Sequence, residues 1–222
     1  MKSDIIDKIM ESPQLNLYLE KIHEKLADEQ QRRTEFFETI TEDDKAEFIN
    51  GEIVIQSPAR FEHNTVSSNL LTLMNAYVNR NNLGWVGAEK VFVSLTRNDY
   101  EPDICFFRKS VADKFEAGQM RFPAPDLIVE ILSPSTEARD RGVKFTDYAA
   151  HGVREFWIVD PAVEALEQYL LSETGEYELT VKSGSGRVES GAIPGFEIPI
   201  RAIFDASENI AALGKLLKPS VE

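Results

Sequence analysis

Residues 125–132 read Pro-Asp-Leu-Ile-Val-Glu-Ile-Leu, and a second proline, Pro134, closes the run. A short, β-branched, apolar segment between prolines is the pattern of a central strand buried on both faces. Strand periodicity puts Asp126, Ile128, Glu130 and Leu132 on one face and Leu127, Val129 and Ile131 on the other. Glu130 is the anomaly. A carboxylate inside such a strand is costly to bury unless it is paired or bound to a cation. The segment therefore demands both a sheet around it and a partner for one glutamate.

The rest of the chain supports one domain with an appendage. Its 222 residues are 42% hydrophobic and 28% charged, ordinary values for a globular protein. No run approaches eighteen apolar residues, and MKSDIIDKIMESPQ has no apolar h-region, so neither a membrane span nor a secretory signal is expected. A single cysteine, Cys105, excludes a disulfide framework and a cysteine zinc cluster. His23, His63 and His151 are too scattered for a histidine metal site. A cytoplasmic protein is expected.

Charge argues against binding nucleic acid by bulk electrostatics, since the net value is −14 with 24 basic and 38 acidic side chains. The acid is unevenly spread. Residues 1–50 carry 7 basic and 13 acidic side chains, residues 145–222 carry 6 and 13, and residues 108–144 carry 7 and 6. A phosphate-bearing substrate can thus be met in the middle of the chain. Elsewhere the acidic surface reads as a solubility feature.

Leu15, Leu19, Ile22 and Leu26 recur at helical spacing and predict an amphipathic helix in an N-terminal extension, residues 1–45. The remaining domain, residues 46–222, opens with FINGEIVIQSP, a hairpin around Asn50-Gly51. Val66, Leu70, Leu73, Met74 and Tyr77 then mark one face of a helix stopped by NNLG. WVGAEKVFVSL and EPDICFFR are strand-like, and residues 108–125 form a loop leading to the central strand. SPST with Glu137 opens a helix to about Ala150, where His151-Gly152 ends it. REFWIVD is a buried strand, LEQYLL and EYELTV a hairpin around SETG, and GSGRVES and GFEIPI complete a β-rich C-terminal portion. The fold class expected is α/β, a central mixed sheet flanked by helices, with the helical extension and extra hairpins.

A strand carrying Asp103 beside Glu130 would bring two carboxylates together, and a divalent cation relieves their repulsion. All-oxygen ligation with retained waters is the usual mode for Mg²⁺ at phosphoryl-transfer sites. Glu52, on the preceding hairpin, is a further candidate ligand. Lys144 lies four residues after Asp140 and four before Tyr148, so the three share a helix face. Directed at the metal, Lys144 could orient water or stabilise a pentacovalent phosphate. Plainer roles compete at each position. Lys144 could form a surface pair with Asp140, and Glu130 a buried pair with Arg154. Asp103 and Asp126 each follow a proline and could serve turn chemistry at a strand start. His63 reads as a cap or packing residue, and Cys105 as core.

From FINGEIVIQSPARFEHNTVSSNLLTLMNAYV through EPDICFF to PDLIVEILSPSTEARDRGVKFTDYAAHGVREFWIVDP, the chain resembles the Uma-two family, which is assigned to the PD-(D/E)XK nuclease superfamily. The resemblance covers roughly residues 46–204 and is most specific from PDLIVEILSPST to FWIVDP. It implies a restriction-endonuclease-like core with metal acids at Asp103 and Glu130 and the backbone carbonyl of Ile131 as a third ligand. The superfamily lysine would fall at Leu132; the resemblance implies its transfer to Lys144 on the next helix. Asp126 also matches a family position, as a supporting or structural residue, with Glu52 and Tyr148 as other supporting residues.

The implied activity is Mg²⁺-dependent hydrolysis of DNA phosphodiesters, with Mn²⁺ as an alternative ion. A homodimer is expected, its interface on the N-terminal apolar stripe. Two other functions fit the sequence: a non-catalytic interaction module on the nuclease fold, favoured by the acidity and the missing in-strand lysine, and a phosphodiesterase acting on RNA or nucleotides.

Overall fold

The computed structural model describes residues 2–41 and 43–218. The extremes of the two expected domains, residues 1 and 219–222, and residue 42 within the first, lie outside them. Packing divides the chain into two units, Met1–Gln56 with Thr96–Asp99, and Ser57–Leu95 with Tyr100–Glu222.

The first unit contains α1 (Lys2–Met10), α2 (Leu15–Thr39), β1 (Ala46–Ile49) and β2 (Glu52–Ile55). The Asn-Gly hairpin forms as the sequence predicts. Asn50 and Gly51 both have positive φ, 52° and 87°, the two left-handed residues that a type I′ turn requires. The hairpin packs with the N-terminal helices within this unit. The reason lies on α2: Phe36 stacks on Phe48 of β1 with ring centroids 5.8 Å apart. Glu29 and Arg33 of the same helix hold the 96–99 segment. Arg33 donates to both carboxylate oxygens of Asp99 at 2.6 and 2.7 Å, and Arg97 grips Glu29 at 2.8 and 2.9 Å. The N-terminal half of α2 is different, with Leu19, Ile22 and Leu26 exposed.

The second unit is built on α3 (Phe61–Asn81), β3 (Gly84–Ala88), β4 (Phe92–Ser94), β5 (Asp99–Tyr100, only Tyr100 in this unit) and β6 (Ile104–Arg108). After α4 (Lys109–Ala112) and β7 (Arg121–Phe122) comes β8 (Leu127–Ile131), the apolar run. A helical connection, α5 (Glu137–Arg139), a π-helical stretch (Asp140–Lys144) and α6 (Phe145–Ala150), leads to β9 (Glu155–Asp160). Then come β10 (Ala165–Leu171), β11 (Tyr177–Ser183), β12 (Arg187–Glu189), β13 (Glu197–Pro199), α7 (Arg201–Phe204) and α8 (Ala206–Leu216).

Six strands form a mixed sheet in the order β11-β10-β9-β8-β6-β3. β8 and β9 are parallel, which requires the long helical crossover between them; the other neighbours are antiparallel. Every residue of β8 is buried. Leu127, Val129 and Ile131 join the main core with Val66, Leu70 and Met74 of α3. Tyr148 and Phe145 of α6 pack on Phe156 of β9, with ring centroids 5.7 and 5.6 Å away.

Three expectations are corrected. The single strand expected from WVGAEKVFVSL is two, because Glu89 and Lys90 both adopt a φ of 45°, which ends β3. The helix expected over 137–150 is interrupted by the π-helical stretch at its centre. The C-terminal portion is not simply β-rich: Asp205 caps α8 by accepting from the amides of Ser207 and Glu208, both 2.9 Å away. No helix among the described residues is long and apolar enough to cross a membrane.

Candidate active site

β6 and β8 are antiparallel, with Ile104 opposite Val129 and Cys105 opposite Ile128. Carried one pair further, that register sets Asp103 opposite Glu130. Directly opposed residues share a face and have Cβ atoms about 4.5–5.5 Å apart. Pro102 cannot donate to a ladder, and β6 begins only after the bend at Asp103, which leaves the carboxylate at the sheet's end. Its Oδ2 accepts from the backbone amide of Ile131 at 2.8 Å and faces Nε2 of His63 at 3.2 Å.

Glu130 is 3% exposed, and two of its partners come from the crossover. Lys144 Nζ donates to Glu130 Oε1 at 3.1 Å, and Tyr148 Oη donates to the same oxygen at 3.3 Å. Lys144 is also 3% exposed, lies 3.4 Å from Asp140 Oδ1, and sits 5.9 Å above the ring of Tyr100. Asp140 is buried as well, so the surface pair is replaced by a buried one. The π-helical winding contributes here. Its i→i+5 hydrogen bonding widens the turn and shifts the register of the helix beyond it, and such segments recur at functional sites. Tyr100 completes the wall by edge contact with Tyr148, centroids 5.1 Å apart, while its hydroxyl donates to Asp147 Oδ2 at 2.7 Å.

These contacts set the electrostatics. Burial pushes the Asp103 carboxyl up. The hydrogen bond and charge of His63, the Ile131 amide and the charge of Lys144 outweigh it and hold the group below its ordinary value. Burial pushes the Cys105 thiol up, so it is an inert core group, as the sequence suggests.

The second unit therefore brings Asp103, Glu130, Ile131, Lys144 and Tyr148 together. Asp126 is not among them. It sits at the other end of β8, about 13 Å away at 3.2–3.4 Å per residue. There it accepts from the Arg108 amide at 2.8 Å and the Arg108 guanidinium at 2.7 Å, with Arg154 at 3.4 Å. Arg154, weighed as the partner of Glu130, thus belongs to Asp126. Glu52 opens β2 in the first unit with an exposed side chain, and the second unit assembles its cluster from other residues. His63 is the residue the sequence did not reveal. It is the third residue of α3, where a first-turn histidine reads as a cap, and only the fold sets it against Asp103.

The donor set suits a hard divalent ion. Among the described residues no group of three or more His, Cys, Asp and Glu side chains could hold a metal by itself. A pair of facing carboxylates is instead the pattern of Mg²⁺, which keeps several waters and takes one or two carboxylates from the protein. A thiolate or imidazole site for zinc is not what these residues offer.

Known proteins resemble this chain in sequence and in fold. A crystal structure described as that of "a putative nuclease belonging to DUF820", from Anabaena variabilis, superposes with a TM-score of 0.67 at 21% identity, covering 79% of this chain and 97% of that one. That likeness establishes the restriction-endonuclease-like fold. An uncharacterized protein of Synechocystis, slr1290, is 27% identical over 155 residues, 68% of this chain and 78% of its own length. Another from the same organism, sll1609, is 28% identical over 129 residues, 57% and 72% of the two chains. The family profile Uma2, described as "Putative restriction endonuclease", matches residues 33–201. That match spans most of the sequence, and the chain belongs to the Uma2 family.

Proposed function

We propose that this protein is a divalent-metal-dependent endonuclease that hydrolyses DNA phosphodiester bonds. The observation that carries the reading is the burial of Lys144 against Glu130 at the strand end where Asp103 stands opposite. A lysine and a glutamate withdrawn from solvent beside a second acid are expensive to keep for stability alone. Asp103, Glu130 and the carbonyl of Ile131 would hold Mg²⁺, or Mn²⁺ in its place. The ion supplies charge neutralisation at the phosphate and a lowered pKa for water.

The chain's own groups do the rest. Lys144, with three donors on a compact ammonium, can give one to Glu130 and another to a phosphate oxygen or to the attacking water. Tyr148 gives the same glutamate oxygen a second donor. Water attacks phosphorus in line, one P–O bond forms as the opposite one breaks, the water gives a proton to solvent, and the leaving sugar oxygen takes one from solvent. With Leu132 in the strand position of the superfamily lysine, Lys144 takes its part from the helix.

The test is plasmid cleavage with Mg²⁺ and with Mn²⁺, comparing wild type with Glu130→Ala and Lys144→Ala. Nicking lost in both variants supports the whole assignment, and loss in Glu130→Ala alone demotes the lysine. A wild type that cuts nothing under either ion would favour a binding module or an RNA or nucleotide substrate.

The N-terminal residues 1–45 enter the proposal as an extension to a nuclease domain of residues 46–222, acting in the cytoplasm as a homodimer. Support for the dimer is the exposed stripe of Leu19, Ile22 and Leu26 on α2. A duplex has two strands to cut. Light scattering that returned a monomer mass at high concentration would remove it.

A further inference from the structure

His63 takes no part in the function just proposed, yet it contacts one of the acids of the site. Its side chain is 12% exposed, and Nε2 lies 3.2 Å from Asp103 Oδ2. A carboxylate oxygen only accepts, so Nε2 carries the hydrogen in this contact. A ring nitrogen that donates has no lone pair left for a metal, and Nε2 is therefore not a ligand while it faces Asp103. The same oxygen receives the Ile131 amide at 2.8 Å. Among the described residues no hydrogen bond reaches the other oxygen, Oδ1, and the Asp103 side chain retains 13% exposure, enough to be reached.

The two donors come from two different elements, α3 and β8. A carboxylate held at one oxygen by a single donor can still swing about that contact. Two donors converging on Oδ2 from separate directions fix both the position of the group and the direction of Oδ1. Asp103 needs such help because it stands in a bend before β6 and not in the ladder itself.

We infer that His63 is a positioning residue, which holds Asp103 Oδ2 so that Oδ1 is presented to the divalent ion. The inference rests on the metal-dependent function proposed for this site. It assigns the histidine neither ligation nor proton transfer.

The experiment measures Mn²⁺ binding to the full chain by calorimetry and by the electron paramagnetic resonance of the free ion. Wild type is compared with His63→Ala, His63→Gln and Asp103→Ala, with thermal melting as the control on folding. Losing an outer hydrogen-bond partner of a metal ligand costs about 10- to 100-fold in affinity. That loss is expected in His63→Ala with the melting temperature kept. His63→Gln, whose amide nitrogen can donate from a similar place, is expected to recover most of it. Asp103→Ala should bind weakest. Wild-type affinity in His63→Ala beside a loss in Asp103→Ala would overturn the inference and leave the metal site standing. Equal losses in a folded Ala and a folded Gln variant would make the ring itself the requirement, which also overturns it. If His63→Ala does not fold, the glutamine variant decides alone: recovered binding supports positioning, and loss with intact melting refutes it. No Mn²⁺ uptake by wild type beyond that of Asp103→Ala would instead bring down the metal-dependent reading, and the inference with it.

Discussion

The two ends of β8 each carry an acid, and the fold treats them in opposite ways. At the start, Asp126 accepts from one backbone amide and one guanidinium and has a second guanidinium within reach, with both arginines about half exposed. At the end, Glu130 is enclosed by Lys144 and Tyr148, with Asp103 across the ladder. The first arrangement ties a strand end to its neighbours and leaves the cations in water. The second withdraws a lysine and a glutamate into the protein, beside the less buried Asp103. Both acids are buried, so burial alone does not tell them apart; the company each keeps does.

That contrast can be broken most directly by removing each acid in turn. Glu130→Ala, or the closer-fitting Glu130→Gln, should lower plasmid cleavage by at least about 10³-fold, as expected when a group acting on the transition state is lost. Asp126→Ala should leave the rate per folded molecule unchanged. Equal losses from both ends would erase the distinction. Lys144→Met, which keeps the buried stem but not the charge, should cost about 10²–10³-fold in the same assay.

The structural end has its own signature. Asp126→Ala leaves the Arg108 amide without its acceptor and should destabilise by about 1–3 kcal/mol. For a chain of this size that amounts to roughly 2–4 °C of melting temperature per kcal/mol, measured calorimetrically. A melting temperature unmoved by the substitution would show that the arginine cluster holds nothing in place.

Glu29 in the first unit extends the arginine-held class and predicts the smallest effect. The Arg97 hydrogen bond, helped by Lys25 and opposed by burial, lowers its pKa from 4.5 to about 2. A depressed carboxylate stabilises fully above its unfolded value and loses that contribution as pH falls towards the folded one. Acid titration of stability should therefore be steeper in wild type than in Arg97→Ala between pH 4.5 and about 2. Parallel curves would remove Glu29 from the comparison.

Much of this was legible in the residues because local rules sufficed. Asn50-Gly51 specified the hairpin turn through its two positive φ values, and the alternation in residues 126–132 told which residues of β8 share a face. Glu130 announced itself because nothing else in its strand is charged. Asp126, equally charged, could not be told apart from it by period, since its partners Arg108 and Arg154 lie 18 and 28 residues away in the chain. Helical spacing aligned Lys144 with Asp140 and Tyr148, but it could not show that the face was buried.

The sequence by itself thus determined the buried strand, the need for a cation beside Glu130, and the family to which the whole pattern belongs. Only tertiary structure decided which cation answers that need, that the crossover is wound as a π-helix at its middle, and that His63 meets Asp103. The physical reason is range. Turn type and side-chain alternation are set by neighbours in the chain, whereas the energy of a buried charge is set by groups that folding alone brings near.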